Sequence, residues 1–166
     1  MSVATARILT VEDDPIVQAD LRLVLEDAGF DVCPGARDGI EAVDLAREHK
    51  HDLVLIDLGL PRMDGIEATR RILDEREVPI LALTGQSGGD SVERALAAGA
   101  VGHVLKPFAA AHLVSTISDA LTHQASLERL QYRQLATVES MLQDDRSARE
   151  IGDRLREQYG SRSAPA

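Results

Sequence analysis

Five short apolar runs, each followed by a stretch of helical periodicity, constrain this chain more than any other feature. They are Arg7-Ile8-Leu9-Thr10-Val11, a weaker run from Asp31 to Cys33, Leu53-Val54-Leu55-Ile56 leading into Asp57, Pro79 to Thr84, and Val101 to Leu105. Such runs are too short for buried helices and suit strands covered on both faces. Helices are expected from Pro15 to Ala28, Asp38 to Glu48, Asp64 to Asp74, Ser91 to Ala98 and Ala109 to about Thr122. The first carries Ile16, Val17, Leu21, Val24 and Leu25 on one face, with Asp14 and Pro15 as cap and first turn and Gly29 as the stop. Parallel crossovers must pass over a sheet face in the right-handed sense. The alternation therefore predicts an α/β, doubly wound five-stranded parallel sheet with five flanking helices.

In such a sheet the carboxyl ends of the strands share one edge, and functional groups collect there. The residues at those ends are Glu12 and Asp13, Asp57, Thr84 and Lys106. Taken singly they are weak signals: Asp57 could cap a turn, Thr84 could form one, and a Lys before Pro is usually on the surface. Together they place three carboxylates, a hydroxyl and an ammonium at one edge. Clustered carboxylates repel, which raises at least one pKa. A hard divalent cation such as Mg²⁺ relieves this, taking few carboxylates together with waters and phosphate oxygens. Phosphoryl transfer to a carboxylate needs positioning and charge neutralisation more than acid or base chemistry. Asp57 is then the nucleophile, forming an acyl phosphate. Asp13 holds Mg²⁺ directly and Glu12 through water, while Lys106 and Thr84 contact phosphoryl oxygens.

Charge divides the chain. Residues 1–122 contain 21 acidic and 11 basic side chains, and residues 123–166 contain 7 of each, so the whole net charge of -10 lies in the first part. The absence of a basic cluster argues against nucleic-acid binding, which draws affinity from grouped Lys and Arg. No apolar run approaches the ~20 residues needed to span a bilayer, and Met1 to Val11 lacks the pattern of a signal peptide. The one cysteine, Cys33, excludes an intramolecular disulfide and fits a reducing, cytoplasmic setting, where it packs as a small hydrophobe.

Val11-Glu12-Asp13-Asp14, Asp57-Leu58-Gly59-Leu60-Pro61 with Met63-Asp64-Gly65, Thr84-Gly85 and Lys106-Pro107-Phe108 resemble the signature of the receiver domain of bacterial response regulators. The resemblance covers roughly Ala6 to Thr122. It implies a flavodoxin-like strand order of 2-1-3-4-5, and a phosphoryl group received on Asp57 from a histidine kinase or a histidine phosphotransfer protein. It further implies Mg²⁺ held by the residues matching Asp13 and Asp57 and by the backbone carbonyl of Gly59. A phosphoacceptor switch of this kind catalyses its own phosphorylation and dephosphorylation and is not an enzyme acting on a separate substrate. Two positions depart from the pattern. Three residues before Lys106, where receivers usually carry Tyr or Phe as a switch partner of the hydroxyl residue, stands His103, which either swings toward Thr84 or simply sits on the signalling face. Gly59, with Gln86 two residues past Thr84, leaves the acyl phosphate without a usual screening side chain.

Other readings fit less well. A haloacid-dehalogenase-type phosphatase also uses Asp, Thr, Lys and Mg²⁺, but its nucleophile follows the first strand and has an acidic residue two positions on, where this chain has Gly59. No Gly-rich nucleotide-binding motif follows a strand, and Gly85 to Asp90 reads as a flexible loop beside Thr84. Residues 1–122 are expected to form the receiver, 123–160 an extension of two helices broken at Asp144-Asp145-Arg146-Ser147, and 161–166 a disordered tail. The extension carries Leu127, Leu130, Leu135, Val138 and Met141-Leu142 as an approximate stripe. It is expected to link phosphorylation to protein association, with homodimerisation through these helices or through the last helix-strand-helix face. The alternative is a divergent RNA-binding, ANTAR-like antitermination module, which Arg133, Met141-Leu142 and Leu155-Arg156 faintly resemble and which the neutral charge disfavours.

Overall fold

The computed structural model describes the backbone of residues 5–85 and 89–159, and the side chains among these up to 135 together with that of residue 150. Gln86 and the expected tail at 161–166 lie outside the described residues, as do residues 86–88 of the expected 85–90 loop, whereas Gly89 and Asp90, expected in that loop, are helical. In chain order the elements are β1 (Arg7–Val11), α1 (Pro15–Asp27), β2 (Asp31–Val32), α2 (Gly39–Glu48), β3 (Leu53–Asp57), α3 (Gly65–Glu75), β4 (Ile80–Thr84), α4 (Gly89–Ala97), β5 (Gly102–Leu105) and α5 (Ala110–Tyr159). The strands form one parallel sheet in the order β2-β1-β3-β4-β5. The doubly wound fold anticipated from the alternation is the fold observed. By internal contacts the chain divides into two compact units, Met1–Gln124 and Ala125–Ala166.

Period-two alternation along the strands sorts the first unit's core onto two faces. Leu9, Val54, Ile56 and Ile80 pack with Ala42, Val43 and Ala46 of α2 and Ala68 and Ile72 of α3. Ile8, Leu53, Leu55, Leu81 and Leu83 pack with Leu21 and Leu25 of α1 and Leu113 and Ile117 of α5. Every residue of β3 and β4 is buried, which is why these two segments read as unbroken apolar runs. A fully buried leucine contributes about 1.5–3 kcal/mol relative to an exposed one.

Helix starts are written in carboxylates. Asp14, Asp38 and Asp64 each stand at an N-cap in extended backbone and accept from two of the orphan N–H groups of the first turn, as at Asp38 from Ile40 and Glu41, both at 2.9 Å. Gly29, at φ +90°, ends α1 in a left-handed conformation that costs a residue with a Cβ. One sequence expectation fails. The sequence predicts a break at 144–147 and two helices after residue 123, whereas α5 runs uninterrupted from Ala110 to Tyr159. Asp-Asp-Arg-Ser contains neither Gly nor Pro, and the lower propensity of Asp and Ser costs only tenths of a kcal/mol per residue, roughly the spread among ordinary residues. It weakens a helix without ending it.

Candidate active site

Strand register carries the five predicted residues to one edge of the sheet. Val11 aligns with Ile56, Asp57 with Leu83, and Thr84 with Leu105. Glu12 therefore follows β1 directly, Asp57 and Thr84 are the last residues of β3 and β4, and Lys106 follows β5. Glu12, Asp57 and Thr84 are buried, Lys106 is partly exposed and Asp13 faces solvent.

Lys106 Nζ lies 3.2 Å from Asp57 Oδ1 and 3.2 Å from Glu12 Oε2. Its own backbone is tied to the neighbouring strand, the N–H donating to Thr84 O at 2.7 Å. Glu12 also accepts from the Asp14 N–H at 3.2 Å. Burial pushes the Glu12 carboxyl above its ordinary range and the Asp57 charge pushes the same way, more than the Asp14 N–H and Lys106 pull it back. For Lys106 burial acts downward, yet the adjacent Asp57 and Glu12 carboxylates outweigh it and hold the ammonium above its ordinary value. The edge thus concentrates negative charge that one cation only partly offsets.

One carboxylate oxygen from each of Glu12, Asp13 and Asp57 can be chosen so that all lie within 4.8 Å of one another. An all-oxygen, partly solvent-facing set of this kind suits Mg²⁺, which keeps several waters and uses few carboxylates. Thr84 supplies a second sign of a missing partner: its Oγ1 is buried and, among the described residues, has no hydrogen-bond partner. A buried hydroxyl without a partner carries a desolvation cost, of about 1–3 kcal/mol, that a bound acceptor would remove.

The chain between β3 and α3 is shaped by close approach. A Cβ at Gly65 would stand 2.2 Å from Asp57 O, so α3 begins directly against the backbone of the candidate nucleophile and only glycine fits. Gly59 is exposed, with open space where a Cβ would be. His103 is exposed on β5, aligned with Ala82 of β4. Two features carried no sequence signal: Arg62 adopts φ +65°, and its Nη1 lies 3.0 Å from Asp38 Oδ2 at the N-cap of α2. A pairing that spans 24 residues and a left-handed arginine are products of tertiary structure, which local patterning cannot report.

Residues 8–118 match the family described as the response regulator receiver domain. The chain belongs to that family. Among its curated relatives, the transcriptional regulatory protein PdtaR of Mycobacterium tuberculosis is 39% identical over 137 residues, which is 82% of this chain and 66% of PdtaR. This chain therefore spans somewhat less than two thirds of that relative. The chemotaxis protein CheY of Halobacterium salinarum is 35% identical over 117 residues, covering 70% of this chain and 97% of CheY. Among solved structures, the receiver domain of a sensor histidine kinase from Pseudomonas aeruginosa superposes with a TM-score of 0.66 at 36% identity, over 72% of this chain and 99% of that one. That receiver was crystallised with a magnesium ion coordinated in its active-site cleft. Receivers are phosphoacceptor switches in phosphorylation-dependent signalling. Among the described residues, no helix is long and apolar enough to cross a membrane.

Proposed function

We propose that Asp57 is the phosphoacceptor of a response regulator, receiving its phosphoryl group from the phosphohistidine of a sensor histidine kinase or phosphotransfer protein. A carboxylate oxygen of Asp57 forms the new P–O bond as the donor's P–N bond breaks, and the imidazole leaves. The observation that carries this reading is the seat of Asp57: buried at the sheet edge, 3.2 Å from the Lys106 ammonium and grouped with Glu12 and Asp13. Asp13, Asp57 and the Gly59 carbonyl are the direct ligands assigned to Mg²⁺, and Glu12 acts through water. Bound there, the ion would offset the charge of the transferred group. Lys106 exchanges its contacts with Glu12 and Asp57 for a phosphoryl oxygen, and the unpaired Thr84 hydroxyl donates to another. Phosphorylation and dephosphorylation are both self-catalysed on this reading.

Drawing Thr84 toward the phosphoryl group favours one of two pre-existing states and alters the neighbouring face of α4, β5 and α5, on which His103 lies. The receiver ends near Thr122, and the helix beyond it couples phosphorylation to association of the chain with itself or another protein, in the cytoplasm. A second reading, an ANTAR-like RNA-binding output, is favoured by one observation. The match to PdtaR, a transcriptional regulatory protein, runs over 137 residues and so extends past the 124 of the first unit. Asp57→Asn should abolish labelling by acetyl phosphate with Mg²⁺, and retained stoichiometric labelling contradicts the assignment. For the output, the full chain is compared with and without beryllofluoride: a change in oligomeric state supports the first reading, and RNA retention that falls steeply with salt supports the second.

A further inference from the structure

The segment joining β3 to α3 touches the start of α2 at two adjacent points. A Cβ on Gly39 would stand 2.3 Å from Met63 O, so the two backbones are in direct contact there. One residue earlier on each side, Asp38 and Arg62 form an ion pair at 3.0 Å. The pair is unequal in exposure: the Asp38 side chain is about nine-tenths buried, while that of Arg62 is 61% exposed. Asp38 is already committed through its other oxygen, Oδ1, which caps α2 by accepting from Ile40 and Glu41. These N–H bonds, outweighing the cost of burial and joined by the Arg62 charge, hold its carboxyl below the ordinary range and keep it ionised.

Arg62 makes this contact from a left-handed backbone at φ +65°. Left-handed backbone is disfavoured for a residue with a long side chain, and Asn or Gly adopts it more readily. Such a conformation persists where the surroundings over-determine it. Here they are identifiable: Gly39 against Met63 O, Asp38 against the guanidinium, and Gly65 against Asp57 O. The segment is thus pinned at its far end to the nucleophile's own backbone and in its middle to a helix that contributes nothing to the acidic cluster. Gly59, three residues before Arg62, lies within the pinned span.

We infer that Arg62 is a positioning residue for the metal site: its pairing with Asp38 fixes the 58–65 segment so that the Gly59 carbonyl is presented to Mg²⁺ in the free protein. This rests on the assignment of that carbonyl as a ligand. Removing partners that orient metal ligands lowers affinity markedly, and a tether one step further out belongs at the lower end of that effect.

The test is calorimetric titration of the metal-free, full-length chain with Mg²⁺ alone, beside thermal melting of the same samples. Arg62→Asn accepts the left-handed backbone but is too short to reach Asp38. It should weaken Mg²⁺ binding by about tenfold while leaving the melting temperature unchanged or higher, because backbone strain is relieved. Arg62→Lys, which keeps a cation able to reach Asp38, should recover most of the affinity. A purely structural arginine would move affinity and melting temperature downward together, and that result overturns the inference. Unchanged Mg²⁺ affinity in Arg62→Asn overturns it equally. Asp13→Asn separates the two levels of the claim: if the wild type binds Mg²⁺ and Asp13→Asn binds it as tightly, the metal-site assignment itself fails, and the role of Arg62 falls with it.

Discussion

The two ends of the sheet in the first unit are built from similar residues and put to opposite uses. At the amino-terminal edge, charge is spent on closing hydrogen bonds. Arg76 donates to the carbonyls of Ala46, His49 and His51, Arg7 donates to Lys50 O, and Arg47 and Glu75 join α2 to α3. At the carboxyl-terminal edge, Glu12 and Asp57 share Lys106 with Asp13 grouped beside them, and among the described residues the buried Thr84 hydroxyl has no hydrogen-bond partner. At the first edge each of these charged groups is paired within the protein, whereas at the second the charge is balanced only by something added. Polarity alone therefore does not mark a functional site. Clustered like charge with too little counter-charge does.

That contrast is broken or sharpened by perturbing each edge and reading both stability and ligand response. Arg76→Ala should produce the largest loss, about 3 kcal/mol in urea melts, because three carbonyls lose a charged donor at once. It should leave Mg²⁺-dependent labelling by acetyl phosphate intact. Loss of labelling in a folded Arg76→Ala protein would mean that the two edges are not separable.

His51 gives the same edge a pH signature. It is buried, neither ring nitrogen has a hydrogen-bond partner among the described residues, and burial first, with the Arg76 and Arg7 charges adding, lowers its pKa from 6.5 to about 4. Between these values the unfolded chain binds the proton and the folded chain does not. Its contribution is therefore fully present above pH ~6.5 and is lost as pH falls toward 4, amounting to about 2–3 kcal/mol across that window. His51→Phe should flatten this part of the stability curve measured from pH 7 to 4; an unaltered slope would assign the acid sensitivity elsewhere.

At the opposite edge the sign of the response reverses. Mg²⁺ at ten times its dissociation constant should stabilise the protein by about 1.4 kcal/mol, an effect that Asp13→Asn should remove. The smallest expected effect on stability is that of Thr84→Val, which deletes an unpaired buried hydroxyl at constant shape and should stay within about 1 kcal/mol of wild type. Its consequence should appear instead with beryllofluoride, as loss of the response of the α4-β5-α5 face in amide spectra. A large destabilisation of Thr84→Val without ligand would show that the hydroxyl already serves the fold.

What was legible in the sequence follows the same division. β3 and β4 announce themselves because both faces are covered, so their residues are uniformly apolar until Asp57 and Thr84 end them. The capping aspartates and Gly29 mark the helix limits because their chemistry is local. The site was readable because parallel strands convert sequence position into spatial coincidence. The continuity of α5 through Asp144-Asp145-Arg146-Ser147 was not readable, since residues of middling propensity are compatible with a break or its absence. Nor was the Asp38–Arg62 pair, which depends on a left-handed backbone at a residue type that rarely takes one. Lys106 shows a finer limit: its sequence position indicates a phosphoryl contact, but not that it bridges Glu12 and Asp57 beforehand.

The central claim is that one carboxyl at the carboxyl-terminal edge accepts a phosphoryl group. Its most direct measurement is to expose the full chain to acetyl phosphate and Mg²⁺, reduce the acyl phosphate with borohydride and locate the resulting homoserine by peptide mass spectrometry. Conversion confined to Asp57, and lost without Mg²⁺, is the predicted result. Homoserine at Asp13, or the one-carbon-longer alcohol at Glu12, with Asp57 untouched, or no conversion under conditions that label another receiver in parallel, would contradict it.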